Sequence, residues 1–483
     1  MAALGAEAAG AQAPLLRREI GRTALLAAPL VGGHLATGLI GFVDSVIAGR
    51  HGTDTLAAVA VGTALFWLPM MVPLGTLLSV PPAVSQLDGH GRREEIGPLF
   101  RQALWLAAGL GVLLFGFLTV VVHALEPMGI APSIVPGATA FLHGIRWGVP
   151  ALTLYVCMRY LSDGLHFTVP SMVLGFGGLL VLVPLGYVLT WGALGFPELG
   201  PAGPGYASAV MLWCQATAFA LYLWRGRRFA GLRLFWRFDP PRWAPIRRLL
   251  VVGLPIGVTV AMEGGLFVVT ALLIGRLGEL PAAAHQIAIN VASLCFMIPM
   301  GLAEATTVRV GHALGRGDGA GVRRAARAGL LIALGTQAAS ALVLLLGNQW
   351  VVGFYTSDAA VATMAAGLML YAAAFQFPDG VQVISAGVLR GLGDTRVPML
   401  LAAVSYWGVG MVLGSVLGLG WGGLVEPMGP RGMWIGLIAG LVVAAVLLGL
   451  RCRRSTRPRW LEPLLRRPGG VDLPREAGQA ASG

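Results

Sequence analysis

Two stretches of the chain decide the fold: PLVGGHLATGLIGFVDSVIAGR (residues 29–50) and PIGVTVAMEGGLFVVTALLIGR (residues 255–276). Both begin with proline, end in Gly-Arg and are apolar over a length that can cross a membrane, for which a helix needs roughly 20 residues. They lie 226 positions apart, and the same offset aligns residues 29–104 with 255–330 without a gap. Glycines and prolines mark helix ends and kinks, so their ordered match indicates two halves with one backbone shape.

The composition agrees with a membrane protein. Of 483 residues, 56% are hydrophobic and 12% are charged, with a mean hydropathy of +0.76, whereas soluble domains carry about 25% charged residues. We predict an all-α polytopic membrane protein with twelve transmembrane helices, arranged as two parallel six-helix repeats because an even number of crossings returns the chain to the same side. The apolar segments lie near residues 24–48, 56–80, 101–123, 139–162, 168–192, 204–224, 249–274, 282–305, 325–347, 360–389, 397–418 and 432–450.

The net charge of +12 records topology. The basic residues are arginines, concentrated at the termini and at the even-numbered connections, which by the positive-inside rule places both termini in the cytoplasm. This distribution argues against a nucleic-acid partner. The predicted organisation is a cytoplasmic N-terminal tail (1–20), a first half (21–224), a cytoplasmic linker (225–248), a second half (249–450) and a disordered cytoplasmic tail (451–483).

Three carboxylates lie at membrane depth in these segments: Asp44, Glu263 and Asp379. A charge at the centre of a membrane helix costs about 2.5–3.5 kcal/mol on insertion scales, so such residues usually face an aqueous cavity and serve a function. A carboxyl there can take up a proton or bind Na⁺, with an affinity that differs between two conformations. We therefore predict that these residues bind or couple a small cation, with Na⁺ a candidate ligand of Glu263 and Asp379.

The residues around these carboxylates support a site. Pro378 precedes Asp379 and removes a backbone hydrogen bond, which frees carbonyl oxygens for an ion or water. Residues four apart share one face of a helix. The predicted supporting polar residues are Gln286, Asn290, Gln376 and Gln382, and the predicted helix kinks are at Pro29, Pro255 and Pro378.

Two further carboxylates, Asp163 and Glu304, lie nearer the cytoplasmic ends of their segments. Water reaches such positions, and Arg159 and Arg309 are close in sequence. We expect both carboxylates to be solvated and structural, and we expect His285 to be a satisfied interior histidine.

Several runs of the chain resemble the multidrug and toxic compound extrusion (MATE) transporters, in particular the NorM-like bacterial branch. The similarity covers nearly all of residues 20–450, in order. The runs are VDSVIAGRHGTDTLAAVAVG (43–62), GFPELGPAGPGYASA (195–209), AAHQIAIN (283–290), IPMGLAEATTVRVGHALGRGD (298–318) and GVLRGLGDTRVPM (387–399).

This resemblance implies two six-helix bundles that form a V and a Na⁺- or H⁺-driven export of amphipathic, often cationic, organic compounds. It implies cation binding by Glu263 and Asp379, and coupling or protonation at Asp44. Related sequences usually carry two asparagines near Asp44, where this chain has Leu182 and Gly186. Ser208 replaces a threonine of those sequences. An N-terminal cation site would therefore lack polar partners, which favours the C-terminal pair and leaves the coupling ion open.

The sequence also leaves alternatives. A flippase for lipid-linked precursors would share the topology but should have a basic central cavity. A membrane-embedded enzyme would need a nucleophile–base pair or metal cluster at membrane depth, and the chain also lacks the GxxxxGK[ST] run of a P-loop ATPase. We expect no cofactor beyond Na⁺ or H⁺, small organic substrates and membrane lipids as partners, and a monomer.

Overall fold

The computed structural model describes residues 2–421 and 424–466, with side chains from residue 14 onward. Over these ranges the chain is helical, and β structure is limited to an isolated bridge between Trp421 and Val425. The predicted all-α class is confirmed. Residues 467–483, most of the predicted disordered tail, lie outside the described residues.

The helices alternate with short connections. In the first half they are α1 (Ala2–His51), α2 (Thr53–Leu77), α3 (Val80–Gly89), α4 (Ile96–Val121), α5 (Val135–Ile145), α6 (Val149–Gly164), α7 (Val169–Trp191) and α8 (Ala202–Arg225). In the second half they are α9 (Trp243–Gly275), α10 (Glu279–Gly315), α11 (Gly319–Leu346), α12 (Asn348–Gly353), α13 (Ala359–Gly391), α14 (Arg396–Ala403), α15 (Val412–Leu419), α16 (Pro430–Ser455) and α17 (Pro458–Leu465). A π-helical segment, Val404–Met411, joins α14 to α15.

Eleven helical runs of the described chain are long and apolar enough to cross a membrane. The remaining predicted segment, 139–162, is built differently. It consists of α5 and α6 joined by a 3₁₀ turn at Arg146–Gly148. All twelve predicted segments are therefore helical, although this one is divided.

The internal repeat is visible in the helix bounds. In the second half α10 runs uninterrupted over Glu279–Gly315, and the equivalent stretch of the first half, Thr53–Gly89, is divided into α2 and α3. The division has a local cause, since Pro81 and Pro82 follow the break and proline cannot supply the backbone donor that a continuous helix needs. The two halves thus share a backbone plan with small local departures.

Seven connections or chain ends lie together at one end of the molecule, which we name the Arg-rich end. It comprises the start of α1, the α3–α4, α6–α7, α8–α9, α10–α11 and α13–α14 connections, and the end of α16. Ion pairs join these elements: Arg309 donates two hydrogen bonds of 2.8 Å to Glu19, and Arg451 donates one of 2.8 Å to Asp394.

The halves meet from the middle of the bundle to the Arg-rich end. Gly89 lies against Gly315, and Ser85 against Gly311, with no room for a Cβ at these glycines. Each pair consists of repeat-equivalent residues, so the pseudo-symmetry axis passes between α3 and α10. A buried hydrogen bond of 2.9 Å from Gln86 Nε2 to a carbonyl of α13 strengthens the same interface. The Arg-rich end is therefore closed in this conformation.

The linker between the halves is fastened to the first half. Its described course is 226–242, because α9 already begins at Trp243 and includes the last six residues of the predicted linker. Arg101 of α4 donates a 2.6 Å hydrogen bond to Asp239, and Gln102 accepts one of 2.7 Å from the Arg242 backbone. Burial raises the pKa of Asp239, but the hydrogen bond and charge of Arg101 outweigh it and leave that pKa below its usual value.

The C-terminal tail and three prolines inside helices bear on two of the predictions. The predicted disordered tail is wrong for its first part, because α16 continues to Ser455 and α17 follows, docking Leu461 against the Arg-rich end in a buried position. Pro29, Pro255 and Pro378 each lie inside an uninterrupted helix. The kinks at these prolines remain predictions.

Candidate cation-coupling site

The acidic pair of the second half is held by three neighbouring elements. Glu263 lies midway along α9, Asp379 lies midway along α13, and the π-helical segment packs beside both. This segment is fastened to α9 by a 3.2 Å hydrogen bond from Trp407 Nε1 to the carbonyl of Met262. Its widened turn places Tyr406 in a fully buried position facing α13. Such π-helical turns are rare and are frequently found at functional sites.

Gln382 joins the two carboxylates. Its Nε2 donates a 3.0 Å hydrogen bond to Glu263 Oε1 and lies 3.4 Å from Asp379 Oδ1. An amide group carries two N–H hydrogens and can serve both acceptors at once. The hydroxyl of Tyr406 donates a 2.9 Å hydrogen bond to the amide oxygen, which directs the amide nitrogen toward the carboxylates. Both distances are measured from the same nitrogen, so the separation of Glu263 Oε1 and Asp379 Oδ1 cannot exceed their sum.

One oxygen of the pair has no partner. Asp379 is 1% exposed, and its Oδ2 is buried without a hydrogen bond from the described residues. Leaving a buried acceptor unpaired costs about 1–3 kcal/mol. A proton or a cation at this atom would remove that cost, so the arrangement is suited to take up a small positive charge.

A second amide pair supports the same turn of α13. Gln337 of α11 donates hydrogen bonds of 3.0 and 2.9 Å to the backbone and side-chain oxygens of Gln376. Gly380 makes this approach feasible, because a Cβ there would meet the Gln337 side chain. Gln376, predicted to support the site, therefore contacts Gln337 and acts on Asp379 only through the helix that both share.

The predicted pair Gln286 and Asn290 is not part of this network. Both are exposed on α10, and the Gln286 amide donates its 3.1 Å hydrogen bond to Asn290 Oδ1. Their spacing did place them on one face, but this face is not the one that meets the carboxylates. His285 is 2% exposed, and its Nδ1 accepts a 3.2 Å hydrogen bond from Trp434 Nε1, but its buried Nε2 has no partner among the described residues, so the expected satisfied histidine is paired at one nitrogen only.

Asp44 occupies a separate site in the first half. It is 5% exposed, and its Oδ2 accepts a 3.1 Å hydrogen bond from Ser208 while Oδ1 has no partner among the described residues. The expectation that this carboxylate lacks polar partners is therefore corrected by Ser208. Leu182 is fully buried, and a Cβ at Gly186 would meet the side chain of Ile47. These two positions supply apolar contacts only.

Asp163 and Glu304 are not solvated, and that expectation is wrong. They are 2% and 7% exposed. Arg159 lies between them, 3.3 Å from Asp163 Oδ2 and 3.4 Å from Glu304 Oε2, and His34 Nε2 is 3.2 Å from Glu304 Oε1. Arg309, which is closer in sequence, pairs instead with α1. This network joins α1 and α6 of the first half to α10 of the second.

Sequence reasoning missed Tyr406 and Gln337. Tyr406 belongs to SYWG, a short polar and aromatic interruption in an apolar segment, and that interruption is the signal that could have drawn attention to it. Gln337 is a lone amide in α11, and a rule that treats uncharged intramembrane polar residues like carboxylates would have included it.

The comparisons with known proteins agree with this architecture. The MatE family model matches the chain twice, over residues 29–188 and 255–416. The two matches start 226 positions apart, which is the offset of the internal repeat, and end 228 apart, which shows that the second half gains two residues after the gap-free stretch. Each copy of the family unit thus corresponds to most of one half.

Curated relatives extend over nearly the whole chain. A probable multidrug resistance protein NorM from Xanthomonas campestris pv. campestris is 68% identical over 444 residues, which cover 92% of this chain and 96% of the relative. The multidrug resistance protein PmpM from Pseudomonas aeruginosa is 42% identical over 470 residues, covering 97% of this chain and 96% of the relative.

A solved structure, that of the eukaryotic MATE transporter AtDTX14, is similar in fold. It superposes with a TM-score of 0.82 at 19% sequence identity, covering 93% of this chain and 99% of that one. At this identity the likeness concerns the fold alone. With the doubled family match and the close relatives, it shows that the chain belongs to the MatE family and is a multi-pass membrane transporter rather than an enzyme.

Proposed function

We propose that the protein is a secondary active multidrug exporter that antiports amphipathic, often cationic, organic compounds against Na⁺ or H⁺ by alternating access. The observation that carries this proposal is the pair Glu263 and Asp379, joined by Gln382 and left with an unpaired buried oxygen. The relatives named as multidrug resistance proteins support the export of drugs.

The coupling ion acts at Asp379 Oδ2. A proton there would supply the missing hydrogen bond, and Na⁺ there would lie beside the carboxylates of Asp379 and Glu263, which Gln382 joins. Oxygen atoms are the ligands that hard cations prefer. Either ion reduces the repulsion between Glu263 and Asp379, so occupancy changes the balance of charge at the junction of α9, α13 and the π-helical segment.

The acidic pair lies next to the surface between the halves. Gly264, directly after Glu263, faces Met71 of α2 so closely that a Cβ would collide with the Met71 sulfur. A change in the side chain of Glu263 can therefore shift α9 and alter its contact with α2 of the first half. A ligand shifts a conformational equilibrium only by its difference in affinity for the two states, and this contact offers a route to such a difference.

We assign the organic substrate to the first half, at a cavity of about 60 Å³ that has to widen before it can take a drug-sized ligand, for which pockets measure about 300–1,000 Å³. Asp44 lines a cavity together with Phe66, Trp67 and Phe141. Aromatic faces attract organic cations, and a carboxylate adds a charge of the right sign. We assign the recognition of amphipathic cations to this cavity, and the coupling ion to the second half.

The protein lies in the bacterial inner membrane as a monomer, with the Arg-rich end and both termini in the cytoplasm. The positive-inside rule supports this orientation. Strongly exposed apolar side chains, such as Leu180 and Val120 at 80% and 69% exposure, are suited to contact lipid. Single cysteines at Arg316 and Gly52, in a variant without the natural cysteines, test the orientation. In intact cells an impermeant thiol reagent should label only the cysteine at position 52.

The experiment that tests the function is transport in proteoliposomes. Wild type should move a fluorescent organic cation when a Na⁺ or a proton gradient is imposed, and applying each gradient separately identifies the coupling ion. Asp379→Asn should abolish gradient-driven movement while the purified protein remains monodisperse. Wild-type transport by Asp379→Asn would overturn the assignment of the site, and the absence of transport by wild type under either gradient would overturn the proposed function.

A further inference from the structure

A second cluster of reactive side chains lies at the Arg-rich end, far along the chain from the acidic pair. Asp88 near the end of α3, His166 in the α6–α7 connection and His312 in α10 each offer one ligand atom, and these atoms lie within 4.8 Å of one another. His312 Nδ1 is 3.4 Å from Asp88 Oδ2, and the two imidazole rings meet edge to face with centroids 5.0 Å apart. Two ligands come from the first half and one from the second.

One nitrogen of each imidazole in this cluster makes no hydrogen bond to the residues that the structure describes. His166 Nε2 and His312 Nδ1 are both buried atoms without a partner among the described residues. Buried polar groups are otherwise paired in the great majority of cases, and each exception needs a reason. One such nitrogen on each ring, with His312 Nδ1 3.4 Å from Asp88 Oδ2 and all three ligand atoms within 4.8 Å, is an arrangement that a metal ion would satisfy.

The carboxylate is divided between two tasks. Asp88 Oδ1 accepts a 2.6 Å hydrogen bond from Arg93, which leaves Oδ2 on the side of His312. Partners of this kind commonly orient metal ligands from outside the coordination sphere. The neighbouring Arg309 is occupied by Glu19 through two hydrogen bonds of 2.8 Å, so its charge is compensated.

The backbone at His166 gives independent support. Four helices, α3, α6, α10 and α13, end in the same way: the residue after the cap has positive φ, and the following amide bonds back to a carbonyl five residues earlier. In three of them that residue is glycine (Gly91, Gly317 and Gly393), which adopts positive φ without strain. The fourth is His166, with φ of 69°. A non-glycine residue in this region costs on the order of 1 kcal/mol, so the chain carries an imidazole where glycine would be more stable.

We propose that Asp88, His166 and His312 form a binding site for a first-row transition-metal cation of the Zn²⁺ class, which joins the two halves at the Arg-rich end. Two imidazoles and a carboxylate, with a fourth position left to water, are a common ligand set for Zn²⁺. Tetrahedral ligands at 2.0–2.2 Å from the ion lie about 3.3–3.5 Å apart. The 3.4 Å separation of His312 Nδ1 and Asp88 Oδ2 meets this spacing, and the ligand atom of His166 lies within 4.8 Å of the other two.

Metal binding at this site would hold the Arg-rich end closed. The ligands meet only while α3 and α10 are in contact, as Gly89 and Gly315 show. A ligand that binds one conformation stabilises it at the expense of the other. The site is therefore inhibitory for any cycle that requires this end to open, although binding itself does not depend on the proposed function.

Binding is tested with Co²⁺ and Zn²⁺ on purified protein that carries no polyhistidine tag. We expect one Co²⁺ per chain, with the intense visible absorption of tetrahedral coordination, and its displacement by Zn²⁺. His312→Gln and His166→Gly should weaken binding by at least about tenfold. His166→Gly is the more informative change, because glycine suits the backbone there and the variant should fold at least as well as wild type.

The matched control is His90→Gln. His90 lies two residues after Asp88, but its Nδ1 is bonded to the backbone carbonyl of Gln86. This variant should bind Co²⁺ like wild type. Equal binding by wild type, His312→Gln and His166→Gly would overturn the site, as would a spectrum in wild type that shows only octahedral coordination.

The closing effect is tested by accessibility. A single cysteine in place of Ser85, at the contact with Gly311, should react with a thiol reagent more slowly when Zn²⁺ is present. His166→Gly in the same background should abolish this protection. Zn²⁺ that binds wild type without slowing the reaction would show that the metal does not hold the halves together.

Discussion

The two halves share a backbone plan but differ in their acidic sites. In the first half, Asp44 has a single hydroxyl donor, Ser208, at 3.1 Å. In the second half, Glu263 and Asp379 share the amide of Gln382, which is itself oriented by a buried tyrosine. One site is a lone carboxylate beside aromatic rings, and the other is a pair held by a network.

The repeat explains why the difference is one of side chains. FPDGVQ (377–382) is equivalent to VPALTL (149–154), so both halves retain the proline, which lies inside α13 in the second half and at the start of α6 in the first. The position of Asp379 is occupied by Ala151, which is fully buried, and that of Gln382 by Leu154. A duplicated scaffold thus carries polar chemistry in one copy and apolar contacts in the other, which allows one half to couple the ion while the other binds the substrate.

The largest effect is expected for Glu263→Gln, which tests the acidic pair separately from Asp44. Glu263→Gln removes one member of the pair and should lower gradient-driven transport by at least about tenfold, equivalent to about 1.4 kcal/mol or more in the limiting step. Asp44→Asn should retain coupling and mainly weaken the apparent affinity for organic cations. Both are measured in proteoliposomes over a range of substrate concentrations. Loss of ion coupling in Asp44→Asn with normal coupling in Glu263→Gln would reverse the comparison.

A second change introduces a carboxylate into the first half. Ala151→Asp places a charge beside Pro150 without an equivalent of Gln382, and a central charge costs about 2.5–3.5 kcal/mol. We expect a lower melting temperature in detergent than for the uncharged control Ala151→Ser. If the two variants are equally stable, the first half has room for an acidic site, and packing does not account for the asymmetry.

Tyr406→Phe tests how the network is oriented. Its hydroxyl donates to Gln382 Oε1 at 2.9 Å, and losing a buried hydrogen bond costs about 1 kcal/mol. The apparent affinity for the coupling ion should fall about fivefold, measured from the ion dependence of transport. The control is Tyr155→Phe, a buried tyrosine of the first half that packs on Phe219. Equal effects in the two variants would argue against a specific role for Tyr406.

The smallest effect is expected for Ser208→Ala. It removes the donor to Asp44, for which we expect a cost of about 1 kcal/mol, the lower end of the range for an unpaired buried acceptor. Resistance of cells to organic cations should fall by less than about fivefold, with the ion dependence unchanged. An effect larger than that of Glu263→Gln would show that the lone carboxylate, and not the pair, limits the cycle.

Much of the fold could be predicted because the lipid bilayer constrains it. Apolar segments of sufficient length, arginines at alternate connections and ordered prolines are all local features of the chain. The pair Glu263 and Asp379 and its partner Gln382 were also predicted, because a carboxylate in an apolar segment is conspicuous by its cost. Tyr406 was not, since a tyrosine is common in membrane helices and the π-helical turn that directs it has no simple local signature.

The errors have a common physical origin. Helical spacing put Gln286 and Asn290 on one face but could not say which helix that face would meet. Closeness in sequence suggested Arg309 as a partner of Glu304, whereas the contact with Arg159 joins two halves that are distant along the chain. Local sequence rules predict the helices and identify charged residues within them. Which side chains pair across the interface between the halves depends on how the helices cross.

The fastening of the linker has a mechanical consequence. Because the Arg242 backbone is bonded to Gln102 and α9 begins at the next residue, the chain has no slack between the halves. The first turn of α9 cannot travel relative to α4 while these bonds persist. The start of α9 then stays beside α4 when the second half rotates. A rigid rotation about this point produces its largest displacements at the opposite end of the molecule.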